Sequence, residues 1–487
     1  MRKAAVTLIL ILSLIPLQAQ TLSQQDLPLP SDSIIRSHHT ASRIGRSLGL
    51  GFTSNLSFFL FNRFVTQEEF AKISINSIKT NLKSPLVWDS DKFFTNMWGH
   101  PYQGSHYFSA GRVNGFNHYQ SIPYAAFGSL FWEYFTEIEP PSINDFITTT
   151  AGGMSLGEIA FRLADHIYDN HASGRERTLR EITATLIAPM YGINRWATGT
   201  HRTPGKGNLL PSFPIEGHYG GGARLLRHND DTKNYGITLH GELTYGDLDD
   251  NITCPYDWFQ GSAQVDLIDR YVILTQFNVV GALRTWQIAE TRDHQISAGL
   301  FQPFTYFQTK MPIDQPNETH PFYLSESAAL GAGVITHTQT PQLNITSQLY
   351  INGILLGTTV SDNIRIKHRD YNYGSGFSLK LRSDIRIGNN TNLRLIAENY
   401  HLYSRNKYNQ AVDFTTMTPD ELLHSDYRGD HSHANLYYLG ASASYAIGNH
   451  LHLALNHYRY IRHSHYRHYP NVYYSARDNH LTLRYHF

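Results

Sequence analysis

From about residue 211 onward, apolar and polar residues alternate with a period of two, the pattern of strands with two unlike faces. Between Asn479 and Phe487 one face carries Leu481, Leu483, Tyr485 and Phe487, and the other carries His480, Thr482, Arg484 and His486. The alternation returns in Tyr235 to Leu243 and in Phe377 to Arg382. Charged and imidazole groups set against an apolar face suit a transmembrane barrel, whose lumen is wet and whose outside meets lipid. Twelve strands are read, starting near residues 216, 235, 258, 271, 294, 323, 344, 375, 392, 435, 450 and 478, an even number as such barrels require. With the C-terminus periplasmic, the short connections Gly388 to Thr391, Gly448 to Asn449 and His337 to Gln342 fall on that side. The long ones, Thr305 to Pro321, Thr358 to Tyr373, Tyr403 to His433 and His463 to Arg477, fall outside. Two connections break the rule: Gly246 to Asp257 is long where a short turn is due, and Asp269 to Arg270 is short where a loop is due.

Earlier residues have another texture, with helix-length apolar runs, Gly/Pro punctuation and few alternating segments. Residues 21 to 35 read as a polar, flexible lead, followed by helices near 38 to 64, 67 to 80, 91 to 99, 104 to 114, 119 to 137, 142 to 168 and 176 to 198. The chain is therefore an α+β protein: a helical module over 36 to 210 and a twelve-stranded antiparallel transmembrane β-barrel over 211 to 487. Roughly 170 ordered residues exceed what the lumen of such a barrel holds. The module is expected beneath the barrel, at its periplasmic face or against the inner leaflet.

Composition adds the compartment. Arg2 and Lys3 precede an apolar run from Ala4 to Ile15, then Pro16 and Leu17-Gln18-Ala19, which reads as a signal peptide over residues 1 to 20. The whole chain has 40 basic and 40 acidic side chains, and removing two signal cations leaves 38 against 40, a charge of −2. Such neutrality argues against nucleic acid as a partner. The one cysteine, Cys254, excludes an internal disulfide scaffold. The final Phe487 resembles the C-terminal insertion signal of bacterial outer-membrane barrels, which makes the barrel-assembly machinery and outer-membrane lipid the expected partners.

Candidate chemistry lies in the helical module. Three blocks carry it: Trp88-Asp89-Ser90-Asp91-Lys92 with Asn96; Gly99-His100-Pro101-Tyr102-Gln103-Gly104 with Arg112; and Trp132-Glu133 with Glu137, then Ser142-Ile143-Asn144-Asp145, Gly152-Gly153 and Gly157-Glu158. In order, spacing and residue type they resemble a bacterial domain-of-unknown-function family, number 3943, over roughly residues 85 to 165. They are more distantly similar to VanZ-like membrane proteins, a likeness that implies membrane association and no settled reaction. The middle helices are more polar than VanZ spans, so the implication of membrane crossing is not carried over.

The residues themselves leave alternatives open. Ser142 and Asp145 have capping-box spacing, and Thr149, Gly153 and Gly157 would let another helix approach closely. Glu133 and Glu137 share a helical face among apolar neighbours, where burial raises a carboxyl pKa unless Arg112, Lys92 or Arg162 pairs with them. His100, before Pro101, is expected at a helix end or turn, as base, ligand or cap. The expectation is one polar cluster of His100, Arg112, Glu133, Glu137 and Asp145, supported by Asp91, Lys92, Asn96, Asn144, Glu158 and Arg162. No cofactor or metal is expected: His431, His433, His463, His465 and His468 read as solvated external loops.

Two functions fit. One is a non-catalytic outer-membrane protein whose periplasmic module binds lipid or another envelope component. The other is a lipid-directed hydrolase of the phospholipase or lipid A deacylase type using the His/Glu cluster. No Gly-x-Ser-x-Gly elbow is present, and Ser105, near His100 and His106, is the one local nucleophile candidate. A passive pore needs a wider lumen than twelve strands provide.

Overall fold

The structure, a computed structural model, describes residues 40–89, 91–203, 209–210, 213–229, 231–248, 251–268, 271–308, 322–364, 370–406 and 429–487. The segments read as signal peptide and flexible lead lie outside the described residues, as do the turn at 269–270 and parts of four long connections. Two compact units divide between Phe213 and Pro214.

The first unit holds α1 (Thr40–Leu60), α2 (Ile75–Asn81), α3 (His100–Arg112), α4 (His118–Phe135), α5 (Ile143–Ile167), α6 (Gly174–Ile187) and α7 (Pro189–Ala197). Polar side chains set the starts. Asn117 and Gln120 form a reciprocal capping box on α4, and the Ser142 hydroxyl accepts from Asp145 N at the start of α5. Of the helix expected over 67–80 only the part from residue 75 is α-helical, ending at Asn81, and the one expected over 176–198 breaks at Ala188, where Pro189 starts a new helix. The helices expected over 91–99 and 104–114 are joined: a π-helical turn, Thr95–Gly99, runs directly into α3. His100 is thus not at a break, because the wider turn accommodates the ring of Pro101 in the first turn of α3. Among the described residues no helix is long and apolar enough to cross a membrane.

Glycines let α3 and α5 meet backbone to backbone. A Cβ on Gly104 would lie 1.9 Å from the Thr149 carbonyl oxygen, and one on Gly153 would lie 2.5 Å from the Gly104 carbonyl carbon. Beside this contact a core forms from Leu50, Val113, Phe161, Tyr168, Met190 and Tyr191.

The second unit is a closed barrel of twelve strands, each antiparallel to its neighbours: β1 (Ile215–His228), β2 (Lys233–Tyr245), β3 (Phe259–Ile268), β4 (Tyr271–Glu290), β5 (His294–Gln308), β6 (Tyr323–Gln339), β7 (Leu343–Val360), β8 (Tyr371–Ile387), β9 (Thr391–Ser404), β10 (Ser432–Ala446), β11 (Leu451–Tyr466) and β12 (Val472–His486). Pairing of β12 with β1, Leu481 opposite Ala223, closes the sheet. No edge strand is left. Parity follows the alternation: Leu481 and Leu483 are exposed outside, while His480, Thr482 and Arg484 are buried inside.

One expectation about the connections needs correction, and one irregularity among them finds its reason. Strands β10, β11 and β12 run further than the sequence pattern indicated, so His433, His463 and His465 lie on strands and not in loops. His433 stands opposite His465 with rings 4.8 Å apart, and Phe377, His401 and His433 extend the stack outward over β8 to β10. Cross-strand ring stacking continues the ladder past the point where hydrophobic alternation fades. The long connection after β2 docks on its own barrel wall: Tyr256 N donates to Ala282 O, Thr285 Oγ1 accepts from Ile252 N, and Trp258 packs with Phe301.

Inside, side chains from opposite walls meet. Glu242 on β2 pairs with Arg382 on β8 at 2.5 Å and Arg394 on β9 at 2.7 Å. Elsewhere Phe307 on β5 packs against Tyr438 on β10 at 4.9 Å and Tyr460 on β11 at 6.3 Å. Glu242, Arg382 and Arg394 line two lumenal cavities, of about 110 Å³ and about 370 Å³.

Candidate functional site

The polar groups of the helical unit form two clusters. In the first, the segment before α3 is laid beside the start of α5 as a short parallel bridge, with Val87 N donating to Pro141 O and Ile143 N to Val87 O. This brings Asp89 under Asn144, whose amide donates to Asp89 Oδ1 and to Asp145 Oδ1, both at 2.7 Å. Asn96, on the π turn, donates to the same Asp89 oxygen at 2.8 Å. Glu133, near the end of α4, accepts from Ser142 N at 2.7 Å, and Glu137 accepts from Trp132 Nε1 at 3.1 Å. His100 enters from α3 with Nε2 3.4 Å from Asp145 Oδ1. Ligand-type atoms of His100, Glu133 and Asp145 all lie within 4.8 Å of one another, and all three side chains are buried.

No lysine or arginine pairs with Glu133, Glu137 or Asp145 among the described residues. Burial, then the charges of Glu137 and Asp145, pushes the Glu133 carboxyl well above its ordinary range. Burial does the same to Glu137, and burial with Asp89 does it to Asp145. Burial lowers His100 to about 4, against the pull of Asp89. The imidazole is therefore neutral at physiological pH.

The second cluster surrounds Glu158 on α5. Arg112 Nε and Arg162 Nε each lie 2.8 Å from its carboxylate, and His118 Nδ1 lies 3.3 Å away. Arg112 also donates to Phe116 O at 2.8 Å and stacks on Phe161. Burial alone would raise Glu158, but the two guanidinium groups and His118 outweigh it and hold the carboxyl well below the usual range.

One expectation fails here. Arg112 does not join His100, because the two sit at opposite ends of α3, about 18 Å apart at 1.5 Å per residue. Glu158 and Arg162 go with Arg112, while Asn96 and Asn144 go with His100. Asp91 and Lys92 are exposed on the approach to the π turn. Asp89 was missed as a site residue, although its place in the Trp88 block was a usable signal. Ser105 is not poised as a nucleophile, since its hydroxyl donates to Tyr102 O at 2.6 Å. His106 instead faces Ser54.

Residues 85–190, which contain both clusters, match the family described as Domain of unknown function (DUF3943). No curated protein matches the chain. Similar solved structures include the NanC porin, 9% identical over 55% of this chain and 98% of that one, with a TM-score of 0.24. OmpT, an outer membrane protein of Vibrio cholerae, is 8% identical over 57% and 98%, TM-score 0.21. The COG4313 outer membrane channel from Pseudomonas putida is 10% identical over 58% and 99%, TM-score 0.29. At such TM-scores these likenesses carry no argument, and the barrel stands on its own strand register.

Proposed function

We propose that this protein is a non-catalytic outer-membrane barrel carrying a periplasmic helical unit that engages lipid. The observation that supports the membrane reading is the parity of the barrel wall, with exposed Leu453, Leu455, Leu481 and Leu483 outside and paired charges inside. This apolar band is bounded below by Tyr219, Tyr445 and Tyr485, and above by Arg227, Arg477 and Arg459, which stand in register across β1, β12 and β11. Aromatic rings and cations suit the two headgroup levels. The chain enters β1 at the end of the barrel that carries the short turns, the periplasmic end under this reading. In such a protein β12 is the segment the barrel-assembly machinery would engage.

The lipid reading rests on α1. Ile44, Leu48, Phe52, Leu56 and Leu60 recur at every fourth position and are all exposed, with Phe61, Phe64 and Val65 continuing the surface. Exposed apolar stripes of this size mark contact surfaces. The test is native mass spectrometry of the full chain in detergent. Phe52→Ser with Leu56→Ser is expected to lose most co-purified phospholipid, and retention equal to wild type would defeat the lipid reading. Acyl profiles of outer membranes with and without the protein should match. A changed acyl pattern would favour a lipid-directed hydrolase instead.

A further inference from the structure

We propose that His100, Glu133 and Asp145 form a binding site for one divalent transition-metal ion, of the Zn²⁺ or Mn²⁺ class, inside the helical unit. Three observations carry it. The first is geometry: the three side chains come from α3, α4 and α5, and their ligand atoms converge within 4.8 Å. The 3.4 Å between His100 Nε2 and Asp145 Oδ1 is close to the edge of a tetrahedron whose ligands stand roughly 2.0–2.1 Å from a central zinc.

The second is the imidazole itself. His100 is 8% exposed, and its ring is aimed at the Asp145 carboxylate as a close contact without the geometry of a hydrogen bond. A buried imidazole normally finds a hydrogen-bond partner, and coordination of a cation is the alternative use of that nitrogen.

The third is charge. The same bundle buries Glu158 and balances it with Arg112 and Arg162. It buries Glu133 and Asp145 with no such cation; Ser142 N donates to Glu133 and the Asn144 amide to Asp145, both neutral donors, and the one further side-chain partner of Glu133 among the described residues is another carboxyl, Glu137. Neutral donors that orient carboxylates without neutralising them are the outer shell of a metal site. Two carboxylates and a neutral imidazole balance a divalent ion, and mixed N/O donors suit zinc or manganese over calcium or magnesium. A metal there ties the first turn of α3 to the end of α4 and the start of α5.

The experiment uses the full chain in detergent, stripped with chelator and titrated with Zn²⁺. Wild type is expected to bind about one equivalent, and Co²⁺ in its place should give visible ligand-field absorption. His100→Gln and Asp145→Asn, which keep size and hydrogen-bonding capacity, should each weaken Zn²⁺ at least tenfold and abolish the Co²⁺ bands, with helical circular dichroism verifying folding. The proposal fails if the wild-type chain takes up neither Zn²⁺ nor Mn²⁺ stoichiometrically. It fails equally if the folded variants bind as wild type does. Should a variant not fold, wild-type stoichiometry together with the Co²⁺ spectrum decides.

Discussion

Glu158 shows how much one buried side chain can hold. Its carboxylate is the shared partner of Arg112, Arg162 and His118, so Glu158→Gln removes the buried negative charge that both guanidinium groups share. Breaking a buried pair from one side costs about 3–5 kcal/mol, and denaturant unfolding followed by helical circular dichroism should read a loss of that order. The pH dependence follows from the depressed folded value, in which the guanidinium groups overcome the effect of burial. A carboxyl lowered on folding stabilises fully above its ordinary value of 4.5 and loses that contribution as pH falls through the folded value. The stability gap between wild type and Glu158→Gln should therefore stay constant from pH 7 to about pH 5 and shrink only in stronger acid. A gap that closes between pH 7 and pH 5 would mean the carboxylate is not held this way.

At the level of elements, each strand of the barrel presents depth as well as a face. Leu481 stands opposite Leu455 and both are exposed, whereas Tyr485 closes the same row beside Tyr219 and His450. Leu481→Arg should cost ~2–4 kcal/mol and Tyr485→Arg only ~0–1 kcal/mol, because the penalty for a lipid-facing cation falls toward the interface. Folding into lipid vesicles under a urea titration, read by heat-modifiable migration, measures both. Equal costs would remove the assigned depth. The inward neighbour Thr482 is no neutral control, since Asn456 donates to it and Arg484 donates to Asn456; a new cation there meets an existing one. In the helical unit the decisive pair is Gly104 and Gly153, where any Cβ would strike backbone. Their close approach sets how far His100 stands from Asp145.

For the whole molecule, the lumen decides between a pore and an anchor. Glu242 reaches across from β2 to Arg382 and Arg394, and Phe307 reaches from β5 to Tyr438 and Tyr460. These contacts divide the interior into small cavities. In planar bilayers the wild-type protein should show no steady conductance. Glu242→Ala removes the carboxylate that reaches across the lumen and leaves Arg382 and Arg394, on neighbouring strands, to share Asp384 alone, a net gain of positive charge that draws in water and anions, so brief anion-selective openings should appear. Steady wild-type conductance that is indifferent to this substitution would reverse the reading.

The parity of the barrel wall, its twelve strands and the contrast between its two units were legible in the sequence because they follow from local rules. Successive side chains on a strand point to opposite faces whatever the strand pairs with, and Ser142 or Asn117 caps its own helix within three residues. The outward Leu481 and Leu483 and the inward Thr482 are of this kind. What only the tertiary structure decided is which charges meet. His100 and Arg112 belong to one helix and one motif, yet the length of α3 assigns them to different clusters. Glu242 finds Arg382 only once a closed sheet sets β2 opposite β8. The long turn after β2 finds its place only against β4. Electrostatic pairing depends on distance through space, which alternation and spacing along a chain do not encode. For the same reason the missing cation beside Glu133 and Asp145 became visible only when every neighbour of those carboxylates was in position.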